Sequence, residues 1–145
     1  MKKVVFISIL LLSIACSNKN VTKNDKSTEK TETSINNQLY DIWLLKKING
    51  KDSKSERQII LEINTKDYVF NGNAHCNNIS GKLIVKDDLL VFQDIVGTLM
   101  ACDELNLENL YVNLLEDVES YKIKSMHLML FNEDGELILE YQKID

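Results

Sequence analysis

Proline is missing altogether from the 145-residue chain, and glycine occurs only five times. Those two shortages exclude a collagen-like repeat and a Pro/Gly-rich low-complexity chain. Positive charge is also scarce, because 17 basic against 22 acidic side chains leave a net charge of -5. Binding nucleic acid requires clustered Lys and Arg to neutralise phosphates, so nucleic acid is excluded as a partner. Beyond the first fifteen residues no apolar run is long enough to cross a bilayer as a helix. No repeat of solenoid period is present. A phosphate loop, a dinucleotide fingerprint, an HExxH pair and a nucleophile elbow are all missing. Cysteine stands at three positions only, Cys16, Cys76 and Cys102, without the paired spacing of a zinc site. The expectation is a non-enzyme with no catalytic residue, no cofactor and no metal.

What is present is apolar residue enough, 44% of the chain, for one domain with a real core. The N-terminus is distinctive. Lys2 and Lys3 make a basic start, and Val4 to Leu12 is apolar apart from Ser8. A run this short reads as the core of a signal peptide rather than a membrane span. It ends in Ser13–Ile14–Ala15–Cys16, which resembles the lipobox of bacterial lipoproteins, although Ser13 stands where leucine is usual. The resemblance implies cleavage after residue 15 and diacylation of Cys16. Residues 1–15 are then the signal peptide, and their removal leaves 15 basic against 22 acidic side chains, or -7. Acyl chains contribute about 0.8 kcal/mol per buried methylene, which would fix the protein to a membrane. The expected location is the cell envelope, facing the periplasm or exterior, with the outer membrane preferred to the inner.

Residues 16–38 comprise the lipidated cysteine and a tether of Ser, Thr, Asn, Lys and Glu, with only Val21 and Ile35 as aliphatics. So little apolar surface cannot offset backbone ordering, and the tether is expected to be a solvated spacer. The folded domain is expected over 39–145. Strand formers run from Tyr40 to Ile48 and end at Asn49–Gly50, a strong turn signal. Short strands follow over residues 59–63, 68–70, 81–85 and 89–92, separated by polar turns. The period then changes: Leu107, Leu110, Tyr111, Leu114, Leu115 and Val118 recur at steps of three and four, one face of a helix that Asp103 or Asn106 could cap. Three more strands, 121–124, 127–131 and 136–141, close the chain, the last two joined through Gly135. The fold expected is α+β: a curled antiparallel sheet, a roll or partial barrel of about seven to eight short strands, packed by one main helix.

Two stretches organise this domain. Residues 70–81 hold His75, Cys76 and two glycines, and residues 98–103 hold Cys102. In an oxidising compartment the two remaining cysteines commonly pair, and closing a loop of roughly 27 residues contributes about 3–4 kcal/mol in the chain-entropy model. The alternative is two buried, reduced thiols packed as small hydrophobes. A zinc set of His75, Cys76, Cys102 and Asp103 is disfavoured, since adjacent His and Cys on an extended segment diverge. A nucleophile pair of Cys76 with His127 lacks a third, orienting residue. The acidic pairs Asp87–Asp88 and Asp103–Glu104 read as solvated turn residues.

Read together, Trp43–Leu44–Leu45, then Gly72, His75, Cys76, Asn77 and Gly81, then Thr98, Met100, Ala101 and Cys102 before a helix carrying Glu108, Tyr111 and Leu115, resemble the META domain of HslJ-like bacterial lipoproteins. The resemblance covers residues 40–145. His75 departs from it, since the family has glycine there, and histidine is one of the residues that tolerates positive φ. The resemblance implies a small α+β roll, exported, often lipid-anchored and linked with envelope stress. On this reading Gly72 and Gly81 permit tight turns, Asn77 satisfies backbone groups, and Cys76 staples or packs against Cys102.

The function expected is a membrane-anchored envelope lipoprotein that is stress-related and binds a protein or supports the envelope. The alternative is a carrier of a small apolar ligand inside the curled sheet, lined by Trp43, Phe70, Phe92 and Phe131.

Overall fold

The computed structural model describes residues 37–55, 57–101 and 105–144. The signal peptide, Cys16, most of the tether, Cys102, Asp103 and Glu104 lie outside the described residues. A helical turn over 37–39 leads in and buries Leu39 completely.

Strand β1 (Asp41–Ile48) turns through Asn49 and Gly50, both at positive φ, into the two-residue β2 (Lys51–Asp52). Strands β3 (Ile60–Asn64), β4 (Val69–Asn73), β5 (Asn78–Lys86) and β6 (Leu89–Gly97) follow as an antiparallel meander. Helix α1 (Leu105–Glu116) precedes β7 (Ser120–Lys124), β8 (His127–Phe131) and β9 (Leu137–Lys143). β9 pairs with β1, with Trp43 opposite Lys143, so the sheet curls into a ring. The ring is thin at one place: β6 and β7 share only the Leu89–Ser120 pair. The expected α+β curled sheet with one main helix is therefore what forms, with nine strands where seven or eight were expected.

Alternation decides which side chains turn inward. Trp43 and Leu45 on β1, Leu61 and Ile63 on β3, Phe70 on β4, and Leu128 and Leu130 on β8 are buried at every second position. The β1–β9 register shifts between Leu45 and Lys47, which changes the phase and brings Ile48 inward. Tyr111, Leu114 and Leu115 of α1, with Val118 just beyond it, join the same core. Leu110 does not; it lies 43% exposed on the far side of the helix. Helix α1 starts at Leu105, so Asn106 sits inside its first turn and not at the cap.

The aromatic residues fill this core. Phe70 and Phe92 meet edge to face with ring centroids 5.0 Å apart, and the Trp43 indole N–H donates to the Leu39 carbonyl at 3.1 Å. Deep in the core, the Tyr141 hydroxyl donates to that of Tyr111 at 3.0 Å. Phe131 instead lies partly exposed on β8, with the Lys122 ammonium 5.3 Å from its ring centroid.

Tyr121 is buried, and its hydroxyl has no hydrogen-bond partner among the described residues. Burial, aided by Asp88 and Asp87, pushes its pKa from 10.0 up to about 12. Tyr111 and Tyr141 shift upward too, chiefly through burial. Below pH 10 folded and unfolded chains both hold these protons and stability does not respond. Above it the unfolded chain releases them first, so stability falls as pH rises from 10 towards 12. Tyr121→Phe is expected to flatten that fall and to leave stability at pH 7 unchanged or raised by up to about 1 kcal/mol, because it removes an unpaired polar group. Urea titrations at pH 7 and pH 11 check both effects; an unchanged alkaline slope would remove Tyr121 from the account.

Candidate functional site

The connection between β4 and β5 is only residues 74–77, and it is tied from within. The Ala74 amide donates to the Asn77 carbonyl at 2.8 Å, and the Asn73 side chain accepts from the His75 amide at 3.0 Å. The turn points the amides of Cys76 and Asn77 at the carboxylate of Glu108, which accepts them on Oε2 at 3.1 and 2.7 Å. Its Oε1 accepts from the Asn77 side-chain amide at 2.6 Å. Glu108 stands in the first turn of α1, where the free amides of a helix start favour negative charge. All three residues are buried.

The other side of Asn77 holds the segment after β6. Asn77 Oδ1 accepts from the Thr98 hydroxyl at 2.8 Å and from the Met100 amide at 2.7 Å. Thr98 exchanges two further bonds with Asn78: its Oγ1 accepts from the Asn78 amide, and its own amide donates to the Asn78 carbonyl. One buried carboxamide thus joins the β4–β5 connection, the helix and the 97–101 loop. Aspartate cannot do this, since a second carboxylate would face Glu108 where a donor is needed.

The loop so held presents apolar side chains to solvent. Leu99 is fully exposed and Met100 56%, and Val96, near the end of β6, is 63% exposed beside them. Met100, a motif residue in the sequence, contributes its backbone amide while its side chain is outside. Gly72 and Gly81 are not turn residues; they lie in β4 and β5, and the reason for glycine is close approach. Ala101 is exposed, and the Cys76 sulfur lies 3.9 Å from the Met100 carbonyl oxygen.

His75 has φ of 102°, the left-handed region expected from a family glycine at this place. Its Nδ1 meets the Ser55 hydroxyl, which itself donates to the Arg57 carbonyl, so the ring nitrogen is the donor of that pair. Strain of this kind costs on the order of 1–3 kcal/mol. His75→Gly is expected to be about 1 kcal/mol more stable than His75→Ala, since both lose Ser55 and only alanine keeps a Cβ at positive φ. Equal urea midpoints for the two variants would refute the strain. His127, the other histidine, lies on β8 with its Nδ1 3.4 Å from Glu140, which also pairs with Lys47.

A curled antiparallel ring, one helix and a buried Asn–Glu latch between two motif stretches define a class of small α+β roll. The META domain family matches residues 37–144, and the chain belongs to that family. Three solved structures share the fold. One, solved by NMR, is 19% identical with a TM-score of 0.58, over 72% of this chain and 90% of that one. A second NMR structure, of a protein from Burkholderia xenovorans, is 24% identical with a TM-score of 0.58, over 74% and 85%. A DUF4847 family protein from Bacteroides vulgatus is 15% identical with a TM-score of 0.54, over 74% and 96%. No curated protein matches the chain.

Proposed function

We propose that this META-domain protein is a non-enzymatic lipoprotein of the bacterial envelope, anchored through Cys16 and binding a protein partner with the surface around the 97–101 loop. The observation that carries the binding role is the loop itself. Apolar side chains at Leu99 and Met100 stand in water next to that of Val96 near the end of β6, while Asn77, itself bound to Glu108, holds Thr98 and the Met100 amide. Exposed apolar side chains held rigidly are the usual mark of an interaction surface. The anchor rests on the lipobox-like Ser13–Ile14–Ala15–Cys16, and the stress-related role on the family resemblance alone. The carrier reading draws no support from Trp43, Phe70 and Phe92, which are buried members of one hydrophobic core.

Crosslinking the anchored protein in its own membrane tests the binding role. A protein partner should be captured and should be lost in Leu99→Asp, a change at a fully exposed side chain that leaves the fold intact. Capture of no protein, with a small molecule copurifying, would replace this reading by the carrier. Intact mass should show loss of residues 1–15 and added acyl chains; an unmodified chain retaining Met1 would overturn the anchor. The proposal includes a bond between Cys76 and Cys102. Cys76→Ser should then lower stability by about 3 kcal/mol without reductant and little with it.

A further inference from the structure

The outer face of β1, β3, β4, β5 and β6 carries a groove of about 780 Å³. Five of its residues form one row running across the strands. Ile42 faces Glu62, Glu62 faces Asn71, Asn71 faces Ser80, and Ser80 faces Val96. Each projects away from the core, because the alternate positions Trp43, Leu61, Ile63, Phe70 and Ile79 are the buried ones. The row is apolar at both ends and polar in the middle.

Its charge is unbalanced. Glu62 is the one ionised side chain lining the groove, and it has no ion pair or side-chain hydrogen bond among the described residues. Three acids elsewhere on the ring have a cation beside them: Glu140 has Lys47, Asp41 has Lys143, and Asp94 has Lys82. Asn71 and Ser80 likewise make no side-chain hydrogen bond with another described residue, so a carboxylate, a carboxamide and a hydroxyl stand side by side with bonding capacity unspent among the described residues.

We propose that this groove seats an extended segment of the protein partner containing one Lys or Arg between apolar residues. The cation meets Glu62, polar groups of the segment meet Asn71 and Ser80, and the apolar residues rest on Ile42 and Val96. Four strand spacings separate Ile42 from Val96, roughly 19 Å, which an extended peptide covers with about six residues. The excess of acidic over basic side chains, 22 against 17 in the whole chain, draws cations towards the protein. Val96 of β6 lines the groove together with Gly97 and Thr98, which lead directly into the exposed Leu99 and Met100, so the two surfaces are continuous. The inference rests on the partner-binding reading and names the chemistry of what binds.

The probe is acetyl-Leu-Lys-Ser-Gly-Ser-Leu-amide, titrated into the isotope-labelled full chain in mild detergent and followed by amide NMR shifts. Saturable shifts at Ile42, Glu62, Asn71, Ser80 and Val96 are expected. Glu62→Gln should weaken them about threefold, the scale of one exposed ion pair. The same peptide with Glu in place of Lys should not saturate. No shifts at millimolar peptide, or shifts indifferent to Glu62→Gln, would overturn the groove. The membrane crosslink keeps the two proposals apart. A partner captured equally by wild type and Glu62→Gln defeats the groove and leaves the binding role. Peptide binding that depends on Glu62, with no protein captured, supports the groove and defeats the partner.

Discussion

Glu108→Ala is expected to destabilise the domain by about 3–5 kcal/mol, because three buried donors lose the carboxylate they share at once. The amides of Cys76 and Asn77 and the Asn77 carboxamide all point at this one carboxylate. Each buried donor left unpaired costs roughly 1–3 kcal/mol, and bonds to a charged acceptor stand at the upper end. In a domain of about a hundred residues the loss corresponds to a fall in Tm of roughly 15 °C. Glu108→Gln should cost about half as much. It keeps the length and one acceptor oxygen, but turns an NH2 group towards a donor. Asn77 cannot flip to meet that group, because its oxygen already holds Thr98 and Met100. Thermal melts of the two variants check the order, and an unchanged Tm in Glu108→Ala would show that the latch holds nothing. Helix packing is a poor alternative explanation, since the apolar face at Tyr111, Leu114 and Leu115 is untouched.

Gly81→Ala and Gly72→Ala are expected to cost about 3 kcal/mol each, at the upper end for overpacking. A Cβ on Gly81 would stand 2.6 Å from the Gln93 carbonyl oxygen and 2.6 Å from the Phe70 ring; on Gly72 it would stand 2.5 Å from the Ile60 carbonyl oxygen. Elsewhere in a strand, alanine is better than glycine because it restricts the unfolded chain. Here the sign reverses, since strand backbone cannot retreat without opening the sheet. Phe70→Leu in the Gly81→Ala background should restore part of the loss by removing the ring and leaving only the carbonyl. Urea midpoints with an unchanged m-value are the readout. A stabilised Gly81→Ala would show that Phe70 and β6 have room to move.

Much of the architecture could be read from local pattern, and the exceptions are instructive. The alternation of β1 and β8, the three-four spacing of α1 and the Asn49–Gly50 turn act over a few residues, and each appears where its pattern placed it. The stretch 71–80, rich in Asn and Gly, falls between the expected strands 68–70 and 81–85, yet 71–73 and 78–80 are strand too. Pairing of β4 with β3, and of β5 with β6, overrides weak intrinsic preference there. β6 runs on to Gly97 past the polar Gln93 and Asp94, because Asp94 at positive φ makes the bulge that keeps it in register. Ser125 and Met126 turn between β7 and β8 with positive φ at both, without the Asn or Gly that would announce it. The resemblance to the META domain singles out Glu108, but without a role for it. Its partners lie more than thirty positions away, and no local rule reports such a meeting.

The ring also makes the last strand a matter of colloidal safety. A chain shortened before Leu137 loses the buried Ile138, Leu139 and Tyr141 and leaves the β1 edge from Trp43 to Ile48 without β9. A bare, apolar-rich edge of that length is a template on which a second molecule can add its own strand. Proteolytic trimming or a bulky fusion at this end therefore yields an adhesive product rather than a merely weakened one. Light-scattering of a 1–136 truncation should show assemblies that the whole chain does not form.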